Sequence, residues 1–170
     1  MENHQLPSAL QFSHPQRYVR LEPGSVKKIV VLQASPRKEG VSKTEMVAEA
    51  FASGCRKAGA AVETINLRDK KIKQCQGCFH CWTKTPGQCI QNDDAASVMQ
   101  AADAADLVVY ASPLYHFSMI ALLKKYIERT LVHFEPFLIS GDDGSTTHPP
   151  RNGHEYKAVI IGVCGFPEVR

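Results

Sequence analysis

Four of the chain's six cysteines fall in the stretch CQGCFHCWTKTPGQC, residues 75–89. Cys75, Cys78, Cys81 and Cys89 are spaced C-x2-C-x2-C-x7-C. Thiolates this close along the chain suit a [4Fe–4S] cluster, because one short loop can wrap a small cubane. Four thiolates also suit tetrahedral zinc, although the two well-separated C-x2-C pairs of structural zinc sites are missing. A packed loop of free thiols is the third reading. Reduced cysteine behaves as a small hydrophobe, and Phe79, Trp82 and Pro86 would give it company. The spacing does not choose among the three. A disulfide knot is disfavoured. The opening residues lack the apolar core of a secretory signal, so the chain is expected in the cytoplasm, where thiols stay reduced.

A second group, ASPRKEGVSKT, occupies residues 34–44. Ser35, Ser42 and Thr44 offer hydroxyls, Arg37 and Lys43 offer positive charge, and Gly40 permits a tight backbone. Where such a loop opens a helix, free amides and the helix dipole favour an anion. The spacing is neither G-x-x-x-x-G-K-[ST] nor G-x-G-x-x-G, which disfavours a P-loop and a dinucleotide fingerprint. A helix cap flanked by solvated basic residues is the plain alternative, and the loop alone does not separate the two. Two later stretches bear on it. SPLYHF (112–117) brings Leu114, Tyr115 and Phe117, which are either a platform for a ring or ordinary rim packing. GVCGFPE (162–168) carries Gly162 and Gly165, small enough to let backbone amides approach a flat ring. His116 reads as a surface residue rather than a general acid.

The elements that must position these groups can be read from periodicity. KKIVVLQAS (27–35) and LVVYASP (107–113) are β-branched apolar runs, as in buried parallel strands. AVETINL (61–67) alternates as a strand does, and KAVIIGVCG (157–165) makes a fourth. Between the first two, apolar Met46, Val47, Ala50, Phe51 and Gly54 recur at helical spacing from Lys43, and Gly59 stops the helix. Asp93 or Asp94 can cap a second helix through about Ala105, with Val98, Met99 and Ala102 inward. SMIALLKKYIERTLVHF (118–134) reads as a third helix. Residues 134–155, rich in Pro and Gly, read as a long irregular connection.

Alternating strands and helices predict an α/β fold: a doubly wound parallel sheet in three layers, with helices on both faces. Ligands then bind beyond the carboxyl ends of the strands, where the strand order switches. That places residues 34–44, 113–118 and 164–168 at one edge. The domain is expected over 27–170, preceded by an arm at 1–26 with Pro7, Pro15 and Pro23. A fifth strand and a closing helix are missing from the pattern. The expectation is a fragment, or a sheet completed by another subunit, hence a homo-oligomer with 1–26 and 134–155 as candidate contacts.

With 170 residues, 44% hydrophobic and 22% charged, the chain can bury the core of one domain. A net charge of +3 without an arginine-rich stripe gives no footprint for nucleic acid. No stretch reaches the roughly 18 apolar residues of a membrane span.

In this order, S-P-R-K-x-G-x-S-x-T, then S-P-L-Y followed by L-K-x-x-I-E-R, then C-G-F-P-E, the chain resembles the flavodoxin-like NAD(P)H-dependent FMN reductases. The cysteine segment followed by Asp-Asp is similar to their iron–sulfur flavoprotein branch. The resemblance runs from about residue 27 to 168. It implies a flavodoxin-like fold, FMN as cofactor and NAD(P)H as co-substrate, with reducing equivalents passed to small acceptors or electron carriers. Ser35, Arg37, Ser42, Lys43 and Thr44 would hold the FMN phosphate. Pro113, Leu114, Tyr115 and Phe117 would lie along the ribityl chain and one ring face. Cys164 and Gly165 would approach the pyrimidine end. Ala34 stands where the family often has Gly, and Lys43 where it often has Asn. The flavin would carry the chemistry, with no catalytic side chain required. An electron-carrying iron–sulfur flavoprotein is the first alternative, and a flavin-free thiol module sensing metal or redox state is the second.

Overall fold

The computed structural model describes residues 24–151 and 157–165. Most of the expected arm at 1–26 therefore lies outside the described residues, as does Phe166 onward.

Strand β1 (Lys28–Gln33) leads through the serine-rich loop to helix α1 (Lys43–Lys57) and strand β2 (Ala61–Asn66). The cysteine segment follows, holding the single-turn helix α2 (His80–Thr83), and then comes α3 (Ala95–Asp103). Strand β3 (Leu107–Tyr115) turns into the short β4 (Ser118–Met119) and helix α4 (Ala121–Arg129). A hairpin of β5 (Ile139–Ser140) and β6 (Thr146–Thr147) precedes β7 (Ala158–Val163). The parallel strands lie in the order β2-β1-β3-β7, and β4 pairs antiparallel with the end of β3. From β1 the chain moves outward to β2, then crosses back to β3 on the other side. The crevice of this flavodoxin-like α/β fold therefore opens at the carboxyl ends of β1 and β3.

The central strands are apolar on both faces because helices cover both. Val30, Leu32 and Val108 pack with Val98, Met99 and Ala102 of α3 and with Leu123 and Tyr126 of α4. Ile29, Val31 and Val109 face the other way, onto Ala48 and Ala52 of α1. Burying each such Val, Ile or Leu contributes about 1.5–3 kcal/mol.

Three expectations change in detail. Helix α1 forms where the spacing put it, but buries Thr44, Ala48 and Ala52, leaving Met46 and Val47 exposed. Its rotation is set by its start, where Ser42 caps the helix and Thr44 is drawn inward, and small alanines then let it lie close on the sheet. The third predicted helix is shorter at both ends. Ser118 and Met119 pair with Tyr115 and Leu114, and residues 130–133 tighten into a 3₁₀ turn. The connection read as irregular holds the β5–β6 hairpin, pinned by the Gly141 amide donating to the Ser145 carbonyl. Among the described residues β7 is an outer strand, and its Ile160 is 76% exposed.

Candidate functional site

The loop after β1 is built to present polar groups inward. Gln33, fully buried, accepts the Ser35 amide on Oε1 at 2.8 Å. Ser35 Oγ accepts the Arg37 amide at 3.3 Å, and Ser42 Oγ accepts the Glu45 amide at 3.2 Å, capping α1. Arg68 pins the loop from outside, donating to the Arg37 carbonyl at 2.9 Å and to Glu45 at 3.4 Å. Ser35, Ser42 and Thr44 are each no more than 3% exposed. Helix geometry leaves the Lys43 and Thr44 amides without an intrahelical acceptor.

These side chains border a cavity of about 160 Å³. Ser35, Arg37, Ser42, Lys43 and Thr44 line it from the first loop, Pro113, Leu114 and Tyr115 from the end of β3. Val163, Cys164 and Gly165 close it from the end of β7. The structure thus brings together groups from three distant stretches of sequence. Their chemistry fits an anion: hydroxyls, helix-start amides and two basic side chains, with no carboxylate among the described lining residues. The cavity is smaller than the roughly 300 Å³ at which pockets for whole ligands begin. It suits a phosphate and the first carbons attached to it. Any ring must lie on the open rim, where Leu114 and Tyr115 are partly exposed. Val163 was missed by sequence reasoning, being indistinguishable from the core residues of its own strand.

Phe117 departs from this group. Tyr115 and Ser118 pair directly, so His116 and Phe117 form a two-residue turn with φ of 51° and 63°. Such a turn needs the left-handed region at both positions and ordinarily takes Asn or Gly. Phe117 is 84% exposed and borders a separate apolar groove of about 480 Å³ with Tyr110, Leu123 and Ile160. His116 is exposed in the same turn.

The cysteine segment lies elsewhere, against α4. Its entry and exit are stitched together: Asp94 Oδ2 accepts the Lys71 amide at 2.7 Å, and Asp93 Oδ2 accepts the Lys73 amide at 3.0 Å. The two aspartates predicted as caps are spent mainly on this closure. Trp82 donates from Nε1 to the Leu131 carbonyl, and Arg151 donates to the Cys81 carbonyl, holding α2 from the far side. Burial pushes the Cys81 thiol up, and the charges of Cys89, Cys75 and Cys78 push it the same way. The four thiols therefore share one electrostatic neighbourhood. Among the described residues, however, no three His, Cys, Asp or Glu side chains are grouped as ligands of a metal ion. As placed, the thiols do not make a metal site. Cys55 is half-buried in the layer between α1 and the sheet.

A family model described as NADPH-dependent FMN reductase matches residues 27–163. Among curated relatives, an iron–sulfur flavoprotein of Archaeoglobus fulgidus is 31% identical over 119 residues, which is 70% of this chain and 52% of that protein. An FMN-dependent NADH:quinone oxidoreductase of an Exiguobacterium species is 27% identical, over 65% of this chain and 57% of that protein. The chain spans about half the length of the curated relatives it matches. Among solved structures, the NAD(P)H:quinone oxidoreductase of Methanothermobacter marburgensis superposes with a TM-score of 0.64 at 20% identity, covering 85% of this chain and 68% of that one. With its strand order, a crevice lined by hydroxyls and basic side chains, and a family model matched over most of its length, the chain belongs to the NADPH-dependent FMN reductase family.

Proposed function

We propose that this chain is the FMN-binding portion of an oxidoreductase that passes reducing equivalents from NAD(P)H to a small acceptor: a quinone, a flavin, a nitro compound or a metal chelate. The observation that carries the reading is the cleft itself, where an anion-accepting loop and the ends of β3 and β7 line one cavity. When bound, the isoalloxazine supplies the hydride and electron transfer. The protein's part is to bind and orient. The Ser35, Ser42 and Thr44 hydroxyls and the first amides of α1 would hold the phosphate. Arg37 and Lys43 would balance its charge from the solvent side. Leu114 and Tyr115 would face the ring, and the backbone at Cys164 and Gly165 would meet its polar edge. None of these residues is asked to carry a proton.

The test is an absorption spectrum of protein supplied with FMN, followed by oxidation of NADH or NADPH with a soluble quinone. Flavin bands that stay with the protein through gel filtration, and acceptor-dependent nicotinamide oxidation, support the reading. Protein that retains no FMN contradicts it, and would favour a flavin-free thiol module.

A second reading, an iron–sulfur flavoprotein acting as an electron carrier, takes its support from the curated relatives that bear that name. It predicts iron and sulfide in stoichiometric amount after anaerobic purification, and flavin reduction that does not need NAD(P)H. A homo-oligomer belongs to either reading. It is supported by exposed Phe137, Leu138 and Ile139 on the connection before β7. Light scattering that gives a monomer at micromolar concentration counts against it.

A further inference from the structure

Arg129, at the last turn of α4, is the largest fully buried side chain among the described residues, only 1% exposed. Its Nη1 donates to Asp93 Oδ2 at 2.7 Å and to the Lys73 carbonyl at 3.0 Å. Its Nη2 donates to Asp93 Oδ1 at 3.2 Å and to the Gln91 carbonyl at 3.3 Å. Lys73 and Gln91 each stand two residues outside the cysteine loop, one before Cys75 and one after Cys89. A single guanidinium therefore grips both ends of the loop, and Asp93 both neutralises it and accepts the Lys73 amide. The planar fork of arginine is what allows four bonds in one plane. The remaining nitrogen, Nε, is buried with no hydrogen-bond partner among the described residues. Cys89 lines the same cavity as Arg129. Burial alone would lower the Arg129 pKa, but the Asp93 hydrogen bond and the charges of Cys89 and Asp93 outweigh it.

We propose that the buried Arg129–Asp93 pair, rather than a bound metal, closes the four-cysteine loop. Arg129 is thus a positioning residue. It fixes the separation of the two ends of the loop that carries the thiols. The loop is closed by the protein's own side chains and is not folded by an occupant. This distinguishes it from small zinc modules, in which metal binding and folding are a single event. The inference does not depend on the flavin reading.

Amide hydrogen exchange on the wild-type chain, reduced and treated with chelator, tests the closure directly. The amides of Lys71, Lys73 and Asp94 should exchange at least about a hundredfold more slowly than in an open chain. Added Zn²⁺ should not slow them further. Free exchange of these amides in the chelated protein, with protection appearing only when Zn²⁺ is added, overturns the proposal. The variant R129K keeps the charge and loses the fork. Peptide-resolved alkylation should then rise at least about tenfold at Cys81 and Cys89, while Cys55 and the thermal midpoint of the sheet report that the fold persists. A folded R129K whose Cys89 reacts at the wild-type rate removes the assignment of Arg129. Should R129K not fold, the exchange measurement still decides.

Discussion

Replacing Asp93 by Asn should destabilise the chain by several kcal/mol, by a route that can be read in the pH dependence. The Asp93 side chain is 3% exposed and that of Arg129 is 1% exposed. Besides both terminal nitrogens of Arg129, the carboxylate accepts the Lys73 and Ala95 amides, each at 3.0 Å. Asn keeps the shape but loses the charge, and its NH₂ must face a donor. Removing one partner of a buried pair leaves an uncompensated charge, at a cost of about 3–5 kcal/mol. Against a total stability of roughly 5–15 kcal/mol, that is a large share. For a chain of this size about 1 kcal/mol moves the midpoint by 2–4 °C, so the fall should be roughly 6–20 °C. Burial alone would raise the Asp93 pKa, but the hydrogen bonds from Arg129, Lys73 and Ala95 outweigh it and hold the carboxyl below its ordinary value. A carboxyl depressed in the folded state contributes stability that is fully present above its unfolded pKa, about 3.9, and lost as pH falls through the folded value. Wild type should therefore lose stability below about pH 4 more steeply than D93N, and the two curves should converge in acid. Urea unfolding at pH 7 and pH 3 measures both. A D93N chain within about 1 kcal/mol of wild type at pH 7, or a gap that does not narrow in acid, refutes the reasoning.

Other outcomes follow from the cleft. Arg37→Ala and Lys43→Ala should weaken FMN more than riboflavin by isothermal titration, by up to about 1 kcal/mol each because both side chains are exposed. Equal losses for the two ligands contradict the assignment. Ser42→Ala should cost about 1 kcal/mol of stability in denaturant unfolding through the lost cap, with a further loss of FMN affinity and little change for riboflavin. Phe117→Gly relieves a left-handed residue and should raise the unfolding free energy by about 1 kcal/mol. A destabilised variant would show that the exposed ring packs against something essential.

The sheet was legible because its central strands are continuous β-branched runs, which only a doubly covered parallel sheet accommodates. The first loop was legible because hydroxyls and basic residues cluster between a strand and a helix. What the residues alone did not disclose is tertiary. Arg129 ends an amphipathic helix with charge, as a solvated residue would, and nothing local says that it turns inward to meet Asp93. Asp93 and Asp94 stand where caps belong, so their use in stitching the loop was invisible. His116–Phe117 lacks the Asn or Gly that announces a two-residue hairpin turn, so β4 was read as the start of a helix. In α1 the apolar residues counted for the helix are not the ones it buries, because small alanines, with little hydrophobic signal, make the contact with the sheet.

The loop between β1 and α1 is proposed to recognise a phosphorylated flavin by its phosphate. Fluorescence titration of the wild-type chain with FMN and with riboflavin, side by side at low salt, tests it most directly. Hydrogen bonds to a charged group contribute about 1.5–3 kcal/mol each, so one of them already predicts FMN binding at least tenfold tighter than riboflavin. Equal affinities, or tighter binding of riboflavin, would contradict the account.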